Sequence, residues 1–349
     1  MIFKKILIIT ERRADYSRFK PILNILKKKK AFKYILVVTG SHLLKKHGYT
    51  INEILKDKFK VAHKIKNFDP KSKIDDGENM ILGISKILMK ISKIIKKEIP
   101  DLILSGFDIG ANFALTVAGA HLNVPVAHIQ GGERTGSIDE SLRHAMSKFA
   151  NYHFVANNDA KRRLIKMGEM PESIFNVGCP SLDALRLQKT KNFLSVSKKF
   201  GLDPKKKFIL VIQHPVTTEN KSSKNQIIET IKAIQMIKIQ ALFILPNNDA
   251  GHSEIIQEIK KSKNKWTKTL NLSEYKTLFK KTSLLLGNSS SGIHEASTFH
   301  VPVINIGKRQ NGRLSPLNVI NSNHDRLEIF KKIKFCLNNK SFSRKINKM

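Results

Sequence analysis

The sequence predicts an α/β protein built on two doubly wound parallel sheets. Three observations carry that expectation. Short runs rich in β-branched residues alternate with segments of helical periodicity along the chain. The alternation runs once to about residue 178 and restarts at Phe208, with no sequence repetition between the halves. A chain of 349 residues with 41% hydrophobic content is also long enough for two separate cores.

The elements come in this order. Lys5–Thr10 (KILIIT) reads as a strand, with a turn and helix after it over ERRADYSRFKPILNILKKKK. Tyr34–Thr39 (YILVVT) is the next strand. The apolar-periodic stretch Ile81–Ile99 leads into a strand at Asp101–Leu104, and Val124–Ile129 and Tyr152–Ala156 continue the pattern. Gly178 to about Asp203 is the expected connection. The second set comprises FILVIQH from Phe208, a helix over Asn225–Ile237, ALFILP, a helix near Ser253, a strand at Ser283–Leu286 and another at Val303–Ile306. Domains are therefore expected over 1–178 and 179–330, with 331–349 as a tail whose last dozen residues read as disordered.

Composition excludes several function classes. Basic residues number 63 against 28 acidic ones, a formal charge of +35. Only 12 of the 63 are Arg and 51 are Lys, scattered along the chain without interleaved aromatics. Readers of base sequence prefer Arg and stacking aromatics, so no specific nucleic-acid partner is expected, only salt-sensitive adhesion to polyanions. Cys179 and Cys336 lie far apart and read as free thiols rather than a disulfide framework. No apolar run approaches the roughly 18–20 residues of a membrane span, and Ile6–Ile9 is too short for a signal-peptide core. The expectation is a soluble cytoplasmic protein without a membrane partner. Neither G-x-G-x-x-G nor G-x-x-x-x-G-K-[ST] occurs. His294-Glu295 is followed by Thr298 where a zinc-binding helix would carry His. No metal site is expected.

The stretch Gly287–Arg313 (GNSSSGIHEASTFHVPVINIGKRQNGR) concentrates anion-binding groups. A buried strand ends in a small-residue turn, and a helical pattern starts at Ile293. Backbone N–H groups, hydroxyls and the positive end of a helix dipole would then meet at one point, suited to a diphosphate. Arg309 and Arg313, one strand later, offer bidentate contacts to the same anion. The competing reading is an ordinary strand-to-helix turn with a Ser cap. Ligands of open α/β sheets bind beyond the carboxyl ends of the strands. The residues there are Arg12, Arg13, Asp15 and Ser17; Ser105–Asp108; Gln130–Glu133; Gln213, His214, Thr217 and Thr218; and Asn247–Asp249. Candidates for proton chemistry are Asp108, His128, Glu133, Asp139, His144 and His214. Ser137-x-x-Glu140 reads as a capping box that starts a helix at Ile138 and puts Asp139 in its first turn. Spacing alone does not choose among these groups.

The motifs RADYS (Arg13–Ser17), HIQGGERTGSIDESLRHAMSK (His128–Lys148), QHPVTT (Gln213–Thr218), PNNDAG (Pro246–Gly251), GNSSSG (Gly287–Gly292) and INIGKRQNGR (Ile304–Arg313) resemble those of the hydrolysing UDP-N-acetylglucosamine 2-epimerases over residues 4–330. The resemblance implies a GT-B fold, two Rossmann-like domains with the active site in a cleft between them. It also implies a tail, 331–349, that packs back on the first domain. No cofactor or metal is implied, and the assembly would be a homodimer or homotetramer. UDP would be held by Ser289 and Ser290 at the diphosphate and Glu295 at the ribose. Arg309 and Arg313 would lie nearby, Arg13 and Ser17 on the first domain, and His214 and Asn247 along the cleft. Asp108, His128 and Asp139, with Glu133, match positions of proton transfer. The implied reaction converts UDP-N-acetylglucosamine, the UDP-sugar partner, to UDP and free ManNAc through a glycal, in sialic or related nonulosonic acid biosynthesis.

Two departures stand out. Gln130 replaces a family Glu, and Ile109 replaces the Arg that follows Asp108. A UDP-2,4-diacetamido-trideoxy sugar on the legionaminic acid route is the alternative substrate. A GT-B glycosyltransferase and a non-catalytic nucleotide-sugar binder are the alternative functions.

Overall fold

A computed structural model describes residues 4–69 and 76–349. The chain divides into two units. One runs to Arg134 and resumes over Ile138–Ala184; the other takes Thr135–Ser137 and Leu185–Met349.

Among its described residues the first unit holds seven strands: β1 (Lys4–Thr10), β2 (Phe32–Thr39), β3 (Val61–Ile65), β4 (Leu102–Gly106), β5 (Val126–Ile129), β6 (Tyr152–Val155) and β7 (Ile174–Asn176). Their order is β3-β2-β1-β4-β5-β6-β7, and every pairing is parallel. Helices cover both faces of such a sheet, so its central strands read as continuous apolar runs, as at Leu7, Ile8 and Ile9, all fully buried. The helix Gly77–Glu98 buries Gly83, Ile87, Ile91 and Ile95, one residue per turn. Asp76 caps it by accepting from Glu78 N and Asn79 N. Its neighbour, Gly110–His121, packs against it and buries small residues, Ala111, Ala114 and Ala118, which bring the backbones close.

The second unit holds β8 (Phe208–Ile212), β9 (Gln240–Ile244), β10 (Lys265–Thr267), β11 (Leu284–Gly287), β12 (Val303–Ile306) and β13 (Val319–Ser322), all parallel, in the order β10-β9-β8-β11-β12-β13. Its core has two halves. Ile209 and Val211 of β8 join one, and Phe208, Leu210 and Ile212 join the other, as the two-residue period of a strand requires.

The structure adds four strands that the sequence reading omits: β3, β7, β10 and β13. They are the four edges of the two sheets. An edge strand has one neighbour and one solvated flank, so VAHKI, IFN, KWT and VINS lack the apolar runs of the centre. The C-terminal residues also differ from expectation. The last dozen are not disordered: Lys340–Asn347 is a helix capped by Asn339, whose Oδ1 accepts from Phe342 N. Its Phe342 ring meets Phe335, and His300 Nδ1 donates to Ile346 O. The preceding helix, Arg326–Asn338, buries Ile329, Ile333 and Cys336 against the helix Ser223–Ile237 and the β13 side of the sheet. Residues 331–349 make these contacts within the second unit. No described helix is long and apolar enough to cross a membrane.

Candidate active site

In the first unit the strand order reverses between β1 and β4, and the crevice of such a sheet opens beyond the carboxyl ends of that pair. Glu11 leaves β1 there and Asp108 leaves β4. Phe107 takes a left-handed conformation (φ 71°) and buries its ring edge-on to Phe19 at 5.1 Å. That turn presents Asp108 at the rim, its side chain 21% exposed. The helix Gly110–His121 then begins, with Ala111 N donating to Glu11 Oε2 at 3.1 Å. Asp15 organises the other loop, accepting from Glu11 N, Arg12 N and Tyr16 N at 2.8–2.9 Å. It is fully buried, so it acts as a folding device, while Arg13 opens the helix Arg13–Lys28. Ser17 Oγ donates back to Ala14 O.

The centre of this site is a residue outside the sequence-based set. Arg143 lies on the helix Ile138–Phe149, which begins where the capping pattern places it. Its side chain is 1% exposed. One guanidinium nitrogen, Nη2, donates to Asp108 Oδ2, and Nη1 donates to Glu133 O at 2.7 Å. Asp139 stands four residues earlier, on the same helical face. Burial alone would lower the guanidinium pKa, but Asp108, Glu133 and Asp139 together hold it above its ordinary value. The result is one permanent cation among three carboxylates, two of them half-exposed. The four-residue spacing from Asp139 is the one signal of Arg143 that the sequence carries. The adjacent His144, a sequence candidate, is only near Glu140, and burial lowers its pKa.

His128 stands on β5, the strand next to β4. It is fully buried on β5, with Nδ1 against Ser147 Oγ (3.1 Å) and Nε2 against Phe107 O (3.4 Å). Burial lowers its pKa to about 3, so the ring is neutral near pH 7 and shores up the β4 loop. Gly131 leaves no room beside it, since a Cβ there would lie 2.9 Å from His128 Nδ1. Gln130 is left-handed (φ 59°) and 3% exposed. Its Nε2 reaches Glu133 Oε1 and Cys179 Sγ, each at 3.5 Å, and its Oε1 is buried without a hydrogen-bond partner.

In the second unit the reversal falls between β8 and β11. Asn288, 1% exposed, bolts the two strand ends together: its Oδ1 accepts from His214 N (2.7 Å) and its Nδ2 donates to His214 O (2.8 Å). Its own carbonyl accepts from Arg309 Nη1 and Gln310 Nε2, and Arg313 Nη1 donates to Gln310 Oε1. Asn288 thus ties His214 to the loop of both arginines. Asn247 stands half-buried beyond the end of β9, the neighbour of β8. Glu295, 7% exposed, accepts from Tyr275 OH at 3.0 Å. Gln310 and Tyr275 are likewise absent from the sequence-based set.

The helix expected from Ile293 is corrected. Only Ser291–His294 is α-helical, followed by a 3-10 turn at Ser297–Phe299 and the left-handed His300. One turn sums few peptide dipoles, so the macrodipole argument for this point fails. What gathers there is hydroxyls and the Asn288-anchored side chains, with Ser289 Oγ accepting from Ser291 N at 3.3 Å. Among the described residues no group of three or more His, Cys, Asp or Glu is placed to hold a metal ion.

The model of the UDP-N-acetylglucosamine 2-epimerase family matches residues 24–349. The chain is 38% identical over 324 residues to the hydrolysing UDP-N,N'-diacetylbacillosamine 2-epimerase of Legionella pneumophila, covering 91% of this chain and 85% of that one. It is 31% identical over 330 residues to the UDP-N-acetylglucosamine 2-epimerase of Neisseria meningitidis, covering 94% and 86%. The crystal structure of UDP-GlcNAc 2-epimerase from Neisseria meningitidis bound to UDP-GlcNAc superposes with a TM-score of 0.81 at 17% identity, covering 98% of this chain and 94% of that one. At that identity the likeness establishes the fold, and it is the GT-B class of paired Rossmann-like domains.

Proposed function

We infer the function from the family: the chain belongs to the UDP-N-acetylglucosamine 2-epimerase family, and we propose that it is a hydrolysing 2-epimerase of a UDP-linked 2-acetamido sugar. Action on a UDP-sugar follows from the relatives, which share 38% and 31% identity over nine tenths of the chain. The observation that carries the proton-transfer chemistry is the Asp108–Arg143–Asp139 constellation, and the hydrolytic reading is supported by the relative named as hydrolysing. A carboxylate removes the C2 proton, the C1–O bond breaks, and its electron pair departs with UDP to leave a glycal. Water then adds its oxygen to C1 while a proton returns to C2 from the other face. The sum is UDP-sugar plus water giving UDP plus the free 2-epimer, with no redox change and no need of a nicotinamide.

This chemistry needs a base, an acid and neutralisation of the leaving diphosphate. We assign the proton transfers to Asp108 and Asp139. Arg143 pairs with Asp108 and donates to the carbonyl of Glu133, which borders the same group. His128, with a pKa near 3, is assigned a supporting place instead of a proton-carrying one. Ser289, Ser290, His214 and Arg309 are assigned to the diphosphate and Glu295 to the ribose, with Arg13, Ser17, Asn247 and Arg313 as further UDP contacts.

For the sugar, the diacetamido compound is favoured over UDP-N-acetylglucosamine. The relative named for N,N'-diacetylbacillosamine shares 38% identity, against 31% for the one named for N-acetylglucosamine. Incubation with each sugar nucleotide in deuterated water tests the reading. The expected result is UDP, one deuterium at C2 of the product and no requirement for an acceptor. Turnover only with an acceptor sugar would instead identify a transferase, and binding without UDP release a non-catalytic protein. Near wild-type UDP release by Asp108→Asn would overturn the residue assignment.

A further inference from the structure

The helix Leu272–Phe279 is fixed at its start with unusual redundancy. Asn271 Oδ1 accepts from Glu274 N, and Glu274 Oε2 accepts from Asn271 N, a reciprocal cap. Lys199 and Lys191 also clamp the Glu274 carboxylate, at 2.7 and 3.4 Å. The next residue is Tyr275. Its ring stacks on Phe279, 5.1 Å away and tilted 23°, and Phe279 is fully buried and edge-on to Phe299. Helix start and ring stack together fix where the Tyr275 hydroxyl points, and it donates to Glu295 Oε2 at 3.0 Å.

We propose that Tyr275 is a positioning residue for nucleotide recognition: its hydroxyl holds one oxygen of Glu295 so that the other is set to accept from the ribose hydroxyls of UDP. The proposal rests on the assignment of Glu295 to the ribose. Glutamate loses much rotamer freedom when it is ordered. A carboxylate already ordered before ligand arrives does not incur that loss on binding. A phenylalanine at 275 keeps the stack on Phe279 and removes the hydroxyl alone, which makes the contribution separable.

The experiment compares UDP with 2'-deoxy-UDP by calorimetry in the wild type, Tyr275→Phe and Glu295→Gln. The wild type should prefer UDP. Tyr275→Phe should weaken UDP binding about tenfold, the scale of one hydrogen bond to a charged group, and leave 2'-deoxy-UDP much less affected. Glu295→Gln should erase the preference. In turnover, the KM of Tyr275→Phe should rise by more than kcat falls. An undiminished preference in Tyr275→Phe, with Glu295→Gln having lost it, removes Tyr275 while leaving the ribose assignment intact. A preference retained by Glu295→Gln removes both. Equal weakening of the two nucleotides by Tyr275→Phe assigns the hydroxyl to something other than the ribose and also overturns the proposal.

Discussion

Arg143 is an arginine at a place where lysine would not serve. The chain uses 51 lysines and 12 arginines, so a buried arginine reports a demand for geometry as well as charge. Its two terminal nitrogens reach Asp108 and the Glu133 carbonyl at once, which a single ammonium on a flexible stem does not reproduce. Arg143→Lys should lower kcat on the UDP-sugar by about 100-fold or more, and lower stability by about 3 kcal/mol because a buried partner is left poorly paired. Steady-state kinetics and urea unfolding check the two effects, and unimpaired turnover would separate Arg143 from the chemistry. The sequence pattern places Asp139 in the first turn of its helix, and the family resemblance is what makes it a candidate for proton transfer. Arg143 is marked only by its four-residue spacing from Asp139, because burial is a property of the packed helix face and no pattern of neighbours encodes it.

At the scale of elements, loop length and backbone conformation decide which groups meet. Gly287 ends β11 with φ 130°, and a Cβ there would lie 2.1 Å from Ile212 O on β8. Only a residue without a side chain lets the two strand ends approach closely enough for Asn288 to bond His214 on both its polar atoms. Gly287→Ala should therefore cost about 3 kcal/mol, the range of a strained backbone with a core clash. It should also weaken UDP binding by displacing Asn288. A melting curve and UDP titration of the variant check this, and wild-type values for both would remove the need for glycine. The sequence marks this turn correctly, yet its periodicity overstates the helix after it. Gly292 presses on β12, where a Cβ would lie 2.8 Å from Val303 Cγ1, and one α-helical turn followed by a 3-10 turn joins the strands. A period of apolar residues shows that a helix is compatible, and packing decides how much of it forms.

For the whole molecule, stability should depend on acid in a definite direction. His42 and His128 are fully buried, and burial holds both near a pKa of about 3, below the 6.5 of an exposed ring. The unfolded chain therefore binds more protons between those values. The stability of the neutral buried rings is present above pH about 6.5 and is lost as pH falls toward the folded pKa, by up to about 1.4 kcal/mol per pH unit for each ring. Urea midpoints should decline from pH 7.5 to 4.5, and His42→Gln should flatten the decline. A profile in that variant as steep as the wild type's would show that His42 is not buried in its neutral form.

The order of residues along the chain is enough to specify the local grammar of this protein. It sets the central strands, the glycine turns, the start of the helix at Ile138 and the residue types suited to an anion and to proton transfer, because each depends on near neighbours in the chain. Which of those residues touch is settled by tertiary packing alone. Arg143 meets Asp108 across 35 positions, and His214 meets Asn288 across 74. In a parallel sheet the partner of a strand end arrives after a crossover whose length and register are fixed only when the helices pack, so the pairs that make the site have no fixed spacing to be read.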